Sequence, residues 1–197
     1  MNPARIPAVG HREALLQGAK QCLLEQGYGR TTARDIVAAS GTNLASIGYH
    51  FGSKEALLTE AMIEAVGDWG EELERALATA PEPSGDPLER FAASWSRVIE
   101  TFATHREAWT ASIEAFVQAE HNPELRKQLA EAIEMARTGL AALFQGIAED
   151  APEARAVGSL HLALLDGLII QWMLDPERAP SGEDLADGLR TILAPGR

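Results

Sequence analysis

Apolar residues recur every three or four positions along most of this chain, and no other feature of the sequence restricts the fold as strongly. The pattern is most regular between residues 88 and 102, and similar stripes continue to residue 194. This spacing lines one face of an α-helix with apolar side chains, whereas a half-buried strand alternates apolar and polar residues. We therefore predict an all-α protein of about nine helices, separated by glycine and proline breaks.

A helical corner is predicted near the N-terminus, where a helix over residues 11–26 is followed by two much shorter ones. Thr32 begins the first short helix, with Asp35 in its first turn. Gly41 separates the two, because a tight turn needs a residue that tolerates unusual backbone angles. Such a corner is typical of a helix-turn-helix, although any pair of helices meeting at an angle can contain a glycine.

The next two helices carry start signals of their own. Asn43 or Thr42 can cap the second short helix, and Ser53 can cap the longer helix that follows. Leu44 and Ile47 are expected to point inward and hold the corner at a fixed angle. The second short helix can then enter a DNA major groove while the first crosses the backbone.

Charge is distributed unevenly along the sequence. The formal net charge is −12, yet residues 1–54 hold six Lys and Arg against three Asp and Glu, a net of +3 that leaves −15 for the remainder. This asymmetry favours a small head that binds an anion, attached to an acidic body. An acidic surface also keeps proteins soluble, so charge alone does not decide between the two interpretations.

The corner is part of a longer pattern over residues 27–58, which reads GYGRTTARDIVAASGTNLASIGYHFGSKEALL. This stretch resembles the N-terminal domain of TetR-family transcriptional regulators. The resemblance implies a homodimer whose two heads enter successive major grooves of a palindromic DNA operator. It also implies a body that binds a small-molecule effector and, most often, repression. The alternative is a helical protein in which the corner arises by coincidence.

The resemblance also carries DNA contacts over to individual residues. Gly48 departs from the family pattern, since an aromatic residue usually occupies that position, and no contact is carried over to it. Arg34, with Arg5 in the N-terminal arm, would supply positive charge. Three residues occupy positions at which members of the family contact DNA phosphates: Thr32, Tyr49 and Lys54. The positions on or beside the recognition helix are Asn43, Leu44, Ala45, Ser46 and His50. These short polar residues can equally well only cap and solvate a helix.

We predict two domains, a DNA-binding head over residues 1–54 and an effector-binding and dimerisation body over residues 55–197. The loop at 79–87 is the clearest break in the body. Aromatic stripes at helical spacing are often plain core, but the family resemblance favours a cavity between the body helices. The candidate effector-pocket residues are Trp95, Phe102, Trp109, Ser112, Phe116, Met135, His161 and Trp172. Thr101 and Gln118 lie beside these stripes.

The predicted dimer interface consists of helices 153–174 and 183–194. The first is apolar nearly all round, and a partner subunit is an economical way to cover it. Gly158, Gly167 and Gly188 would allow close helix approach. We expect each subunit to place one head on the operator.

Other function classes lack support in the sequence. Cys22 is the only cysteine, and the histidines show no metal-ligand spacing. Neither a Ser-His-Asp arrangement nor a glycine-rich phosphate loop is present, so we expect no metal, no cofactor and no enzyme activity. No signal peptide or membrane span is predicted, which favours the cytoplasm. The remaining alternative is a helical enzyme or small-molecule-binding protein whose corner no longer binds DNA.

Overall fold

The computed structural model describes residues 8–78 and 86–194, and these ranges contain nine helices and no strand. The all-α prediction is thus confirmed. Arg5 and nearly all of the predicted loop at 79–87 lie outside the described residues. The helices are α1 (Ala8–Gln26), α2 (Ala33–Ser40), α3 (Leu44–Phe51), α4 (Lys54–Ala78), α5 (Pro87–Thr101), α6 (Arg106–Ala119), α7 (Pro123–Gln145), α8 (Ala154–Leu174) and α9 (Gly182–Leu193).

The chain forms two compact units, and the described part of the first consists of residues 8–68 and 107–132. Its core therefore combines α1, α2, α3 and the beginning of α4 with α6 and the beginning of α7. Buried side chains from both segments form one hydrophobic cluster, which includes Leu15, Leu23, Ile36, Leu57, Ala111, Ala115, Leu125 and Leu129. The predicted domain boundary at residue 54 stays a prediction.

The described part of the second unit consists of residues 69–78, 86–106 and 133–194. Two glycines let its helices touch backbone to backbone. A Cβ atom on Gly158 of α8 would overlap the carbonyl oxygen of Arg137 on α7, and a Cβ on Gly182 of α9 would overlap a carbonyl oxygen of α5. Gly158, which the sequence suggested for a subunit contact, therefore serves a contact inside the chain.

Helix α8 is unusually apolar for its exposure. By length and composition alone it could cross a membrane, a test that core helices of soluble proteins also pass, and only 28% of its apolar window is buried. Its exposed apolar side chains follow a spacing of three and four residues. Leu160, Ile170 and Leu174 are 54%, 50% and 82% exposed, and the small residues Ala163 and Gly167 lie between them. This row is called the α8 stripe below.

Candidate nucleic-acid interface and effector site

The first short helix of the corner begins with a reciprocal cap. The Asp35 amide donates to Thr32 Oγ1, while the Thr32 amide donates to Asp35 Oδ2 over 2.9 Å. The Thr32 hydroxyl also donates to Asp35 Oδ2, over 2.6 Å, and this bond together with the amide bond lowers the pKa of Asp35. The predicted cap is confirmed. The same geometry means that a phosphate would compete with Asp35 for the Thr32 hydroxyl.

The turn between α2 and α3 has the geometry that the sequence predicted. Gly41 adopts a left-handed conformation at φ 65° and ψ 22°, and its amide donates to the Val37 carbonyl. Of the two candidate caps, Asn43 takes the role, because its Oδ1 accepts a hydrogen bond from the Ser46 amide over 3.1 Å. Thr42 instead shares a hydroxyl–hydroxyl hydrogen bond with Ser40.

Helix α3 has one inward and one outward face. Ile47 is buried, as predicted, but the expectation that Leu44 points inward is wrong, since Leu44 is 53% exposed. Leu44 is the first residue of α3. In the first turn of this helix only Ser46 and Ile47 are buried. The outward face of α3 is defined by Leu44, Ala45, Gly48 and Tyr49, all of them exposed.

Two predicted recognition residues are less accessible than this face. Ser46 is 9% exposed, so its hydroxyl lies at the edge of the core. His50 is half-buried, and its ring lies edge-on against Tyr49 with the ring centroids 4.8 Å apart. Tyr49 itself is 82% exposed, which makes its hydroxyl the most accessible of the predicted donors on α3.

The start of α4 lies next to the loop that precedes α2. Ser53 caps the helix as predicted, because its hydroxyl accepts a hydrogen bond from the Ala56 amide over 3.0 Å. The Lys54 ammonium donates to the Thr31 carbonyl over 3.2 Å and lies 3.5 Å from a Glu55 carboxylate oxygen. An ammonium carries three donors, so Lys54 retains capacity for a phosphate while it holds these two helix starts together.

The positive charges of the head fall into two groups. Arg12 pairs with Glu60 and its guanidinium lies over the Phe51 ring, so this side chain supports the end of α3. Lys20 pairs with two α4 carboxylates. Burial lowers its pKa, but the hydrogen bonds and charges of these carboxylates together outweigh burial, so the net shift is upward. Arg30 and Arg34, at the junction of α1 and α2, are exposed and provide accessible positive charge.

The second unit contains a group of four aromatic rings, two buried and two half-buried, that includes two of the predicted effector residues. His161 stacks on Phe144 with centroids 4.5 Å apart and on Trp95 with centroids 5.9 Å apart. Phe91 borders Trp95 and His161. Trp95 is fully buried and His161 is 4% exposed. Within the described residues, neither Trp95 Nε1 nor His161 Nδ1 has a hydrogen-bond partner. We call these four side chains the ring cluster.

The remaining effector candidates are distributed over both units. Phe102 and Trp172 meet edge to face in the second unit, with ring centroids 5.8 Å apart, whereas Met135 of that unit is 63% exposed. The other three candidates belong to the first unit, where they differ in burial. They are Trp109, which is buried, Ser112, whose hydroxyl donates to the Ala108 carbonyl, and Phe116, which is 46% exposed.

Two family models match the chain. The model described as bacterial regulatory proteins, tetR family, matches residues 15–61. The model described as tetracyclin repressor-like, C-terminal domain, matches residues 86–195, which is more than half of the sequence. This chain belongs to the TetR family. Members of the TetR family are transcriptional regulators rather than enzymes, which confirms the resemblance seen over residues 27–58.

Individual relatives agree with this TetR-family assignment. The HTH-type transcriptional repressor AcnR of Corynebacterium efficiens is 41% identical over 49 residues, so the match spans about a quarter of each chain. The HTH-type transcriptional regulator BetI of Agrobacterium fabrum is 28% identical over 181 residues, covering 90% of this chain and 84% of BetI. The multidrug binding protein EbrR, complexed with proflavin, has a similar fold, with a TM-score of 0.61 at 23% identity over 93% of this chain and 99% of EbrR.

One contact of this TetR-family head was missed by the sequence patterns. Glu114 on α6 accepts a hydrogen bond from the Gly29 amide over 3.1 Å, next to Gly27, which has a φ of 87°. A Cβ atom on Gly27 would lie 2.8 Å from the Glu114 carboxylate. The glycines flanking Tyr28 were a visible signal of a special turn, but nothing local identifies a partner 85 positions away.

Proposed function

We propose that this chain is a repressor that binds a palindromic operator as a homodimer and releases it when a small apolar or aromatic effector binds. The outward face of α3 carries the proposal. Four residues on one face of this short helix are exposed, including Leu44 and Tyr49, while Ile47 on the opposite face is buried. A contiguous exposed face with apolar and aromatic side chains on a capped helix is typical of an interaction site, and a major groove accommodates such a helix.

The DNA contacts divide into two classes. Tyr49, Lys54, Thr32 and Arg34 would bind phosphates and fix the orientation of the head, since such contacts position a protein without reading sequence. The base-reading class takes its members from α3 and from its cap. Ala45 and Leu44 can contact a thymine methyl group, and Asn43, Ser46 and His50 can reach base edges.

An acidic protein can bind DNA in this way because net positive charge is confined to residues 1–54, which carry +3 while the remainder carries −15. Arg30 and Arg34 are exposed near the start of α2, and Lys54 opens α4. Repulsion between the acidic remainder and DNA would leave the head as the only docking surface. Few phosphates need to be neutralised per head if two heads bind together.

The proposed dimer uses the α8 stripe, with α9 beside it. Ile192 and Leu193 near the end of α9 are 78% and 73% exposed, so both helices present uncovered apolar side chains. The small residues within the stripe permit close approach of an identical helix. A twofold pairing of this kind gives two heads that match a palindrome. We place such a DNA-binding dimer in the cytoplasm.

Effector and operator are proposed to oppose each other. EbrR was solved with proflavin, which supports an aromatic small molecule as the ligand class for this fold. Linkage requires operator DNA to weaken effector binding by the same factor by which the effector weakens DNA binding, typically about 5- to 150-fold. Candidate ligands can be titrated by intrinsic tryptophan fluorescence with and without operator duplex. Equal affinities in both conditions for every ligand found would exclude this mechanism.

Lys54→Ala should weaken binding to operator and to unrelated duplexes by the same factor, because the ammonium contacts phosphate rather than bases. Two lost contacts per dimer should reduce the slope of log K against log salt by about 1.8. Fluorescence anisotropy over a salt series measures both effects, after the operator has been found by selection from random duplexes. If no duplex is selected at all, the helical-binding-protein alternative gains and the repressor proposal fails.

Lys127→Ala is the matched control, since it removes the same charge from an exposed position on α7. It should leave affinity and slope nearly unchanged. Tyr49→Phe should behave like Lys54→Ala but without a change of slope, because it removes a neutral donor. A selective loss at one operator position in either variant would contradict the phosphate assignment.

Ser46→Ala should relax base preference at one or two operator positions while leaving non-specific affinity intact. A lost base-edge hydrogen bond costs about 1–3 kcal/mol against the wrong base. Selection from randomised duplexes followed by sequencing reports the preference at every position. The Asn43 cap uses the backbone amide of Ser46 as its donor and does not involve the hydroxyl, so the alanine variant keeps that cap. If the variant and the unsubstituted protein select the same DNA sequence, Ser46 does not contact a base edge.

A further inference from the structure

The ring cluster contains two polar atoms that the fold leaves without a partner. Trp95 Nε1 is a donor only, and His161 Nδ1 is a donor or an acceptor according to tautomer. Both atoms are buried, and within the described part of the chain neither makes a hydrogen bond. A buried polar group without a partner destabilises a fold, because it loses its hydration and gains no hydrogen bond in return. Two such atoms on stacked rings provide a candidate site in which the polar contacts are these two nitrogens and the remaining surface is aromatic.

We propose that Trp95 Nε1 and His161 Nδ1 are the two polar contacts for an uncharged, planar aromatic effector that carries a carbonyl group, the aromatic amide class. This inference rests on the proposed function, since it names the ligand class of the effector site. Phe91, Phe144 and the two contact rings themselves provide a flat aromatic surface. The carbonyl oxygen accepts from Trp95 Nε1, and the amide group satisfies His161 Nδ1.

The charge of the site selects an uncharged ligand. Burial lowers the pKa of His161, so the imidazole is neutral near pH 7. Arg137 on the neighbouring α7 also has a buried Nε, but its guanidinium is paired with Glu134, which accepts Arg155 as well. An ionised ligand would lose its hydration without gaining a free counter-charge from the four cluster side chains.

Aromatic packing matches the proposed class in shape as well as polarity. The His161 and Phe144 rings are within 10° of parallel and the His161 and Trp95 rings within 20°. Because these rings already stack on each other, a flat ligand would extend the stack in an offset arrangement rather than enter between them. An aliphatic amide would satisfy the polar atoms but would forgo this stacking.

Benzamide is the probe for this site, tested on the full-length chain. Each tryptophan gives one indole N–H signal in a ¹H–¹⁵N spectrum, and Trp95→Phe identifies the signal of Trp95. Benzamide should move that signal downfield in a saturable way, with a dissociation constant of about 1 mM for so small a fragment. The Trp69 indole, which already donates to Thr101 over 2.6 Å, is the internal control and should move much less.

Three isosteres of benzamide test the ligand class. Benzoate and benzamidinium keep the planar shape but carry a charge, and α-methylstyrene keeps the shape without polar atoms. Benzoate and benzamidinium should each bind more weakly than benzamide by about three- to tenfold, since each loses one hydrogen bond, and α-methylstyrene, which loses two, should bind more weakly still. Tighter binding of benzoate or benzamidinium would overturn the uncharged class. No saturable shift of the Trp95 signal with benzamide would overturn the site.

His161→Phe separates binding from structure. Phenylalanine keeps the ring stack and removes the unpaired nitrogen, so the free protein should melt at an equal or higher temperature, while benzamide affinity should fall about three- to tenfold. A lower melting temperature with unchanged benzamide affinity would show that His161 is only structural. Operator binding is measured separately, so a chain that binds benzamide but no DNA would refute the proposed function and leave this inference standing.

Discussion

Gly158→Ala should destabilise the second unit by about 3 kcal/mol or more, the upper end of the range for overpacked cores. A Cβ atom at this position would overlap the carbonyl oxygen of Arg137, which is backbone and cannot rotate away. Helices α7 and α8 must therefore separate, and the ring cluster shared between them must loosen. For a chain of this length, the melting temperature should fall by about 6–12 °C. Thermal unfolding followed by circular dichroism measures the change.

The matched control is Gly139→Ala on α7. No atom lies within 4 Å of a Cβ built at Gly139, so the substitution meets open space. Alanine is favoured over glycine inside a helix by about 1 kcal/mol, and the control should be neutral or slightly stabilised. Equal melting temperatures for the two variants would show that α7 and α8 do not touch at Gly158.

Ile170→Asp should convert the proposed dimer into monomers and reduce operator affinity by about 10²- to 10⁴-fold. The reduction is the loss of avidity when two linked heads become independent. Ile170 lies in the middle of the α8 stripe and is 50% exposed, so aspartate can be solvated in the monomer but not against a partner helix. Analytical ultracentrifugation and operator binding should change together.

Val117→Asp provides the comparison for this variant. Val117 is 63% exposed on α6, outside the proposed interface, and the change in side chain is of the same kind. It should leave the sedimentation coefficient and the operator affinity intact. A dimeric Ile170→Asp protein, or a Val117→Asp monomer, would place the subunit interface elsewhere.

Local signals explain why so much of the corner could be predicted. The caps at Thr32, Asn43 and Ser53 and the left-handed turn at Gly41 depend on residues within a few positions of each other. Capping and turn preferences are properties of such short segments, so the sequence contains them in full. The error at Leu44 arose because a periodic pattern does not tell whether neighbouring helices cover the first turn.

Non-local contacts account for what could not be predicted. The aromatic stripes identified Trp95 and His161 separately, but only the packing of α5, α7 and α8 shows that their rings stack. Likewise, Gly158 is visible in the sequence as a small residue, while the carbonyl that requires it belongs to another helix. Placing α6 in the first unit also depended on partners that no local pattern names.

The shared core of the first unit has a consequence for synthesis of the protein on the ribosome. N-terminal segments generally fold first as a chain emerges, at about 5–20 residues per second. In this chain Leu23 and Leu57 belong to a cluster that is completed by Leu125 and Leu129. A nascent chain that has not reached residue 132 therefore holds an incomplete core, with apolar surface open to chaperones and proteases. The core beneath the predicted DNA-binding corner is therefore complete only after the segment up to residue 132 has been translated.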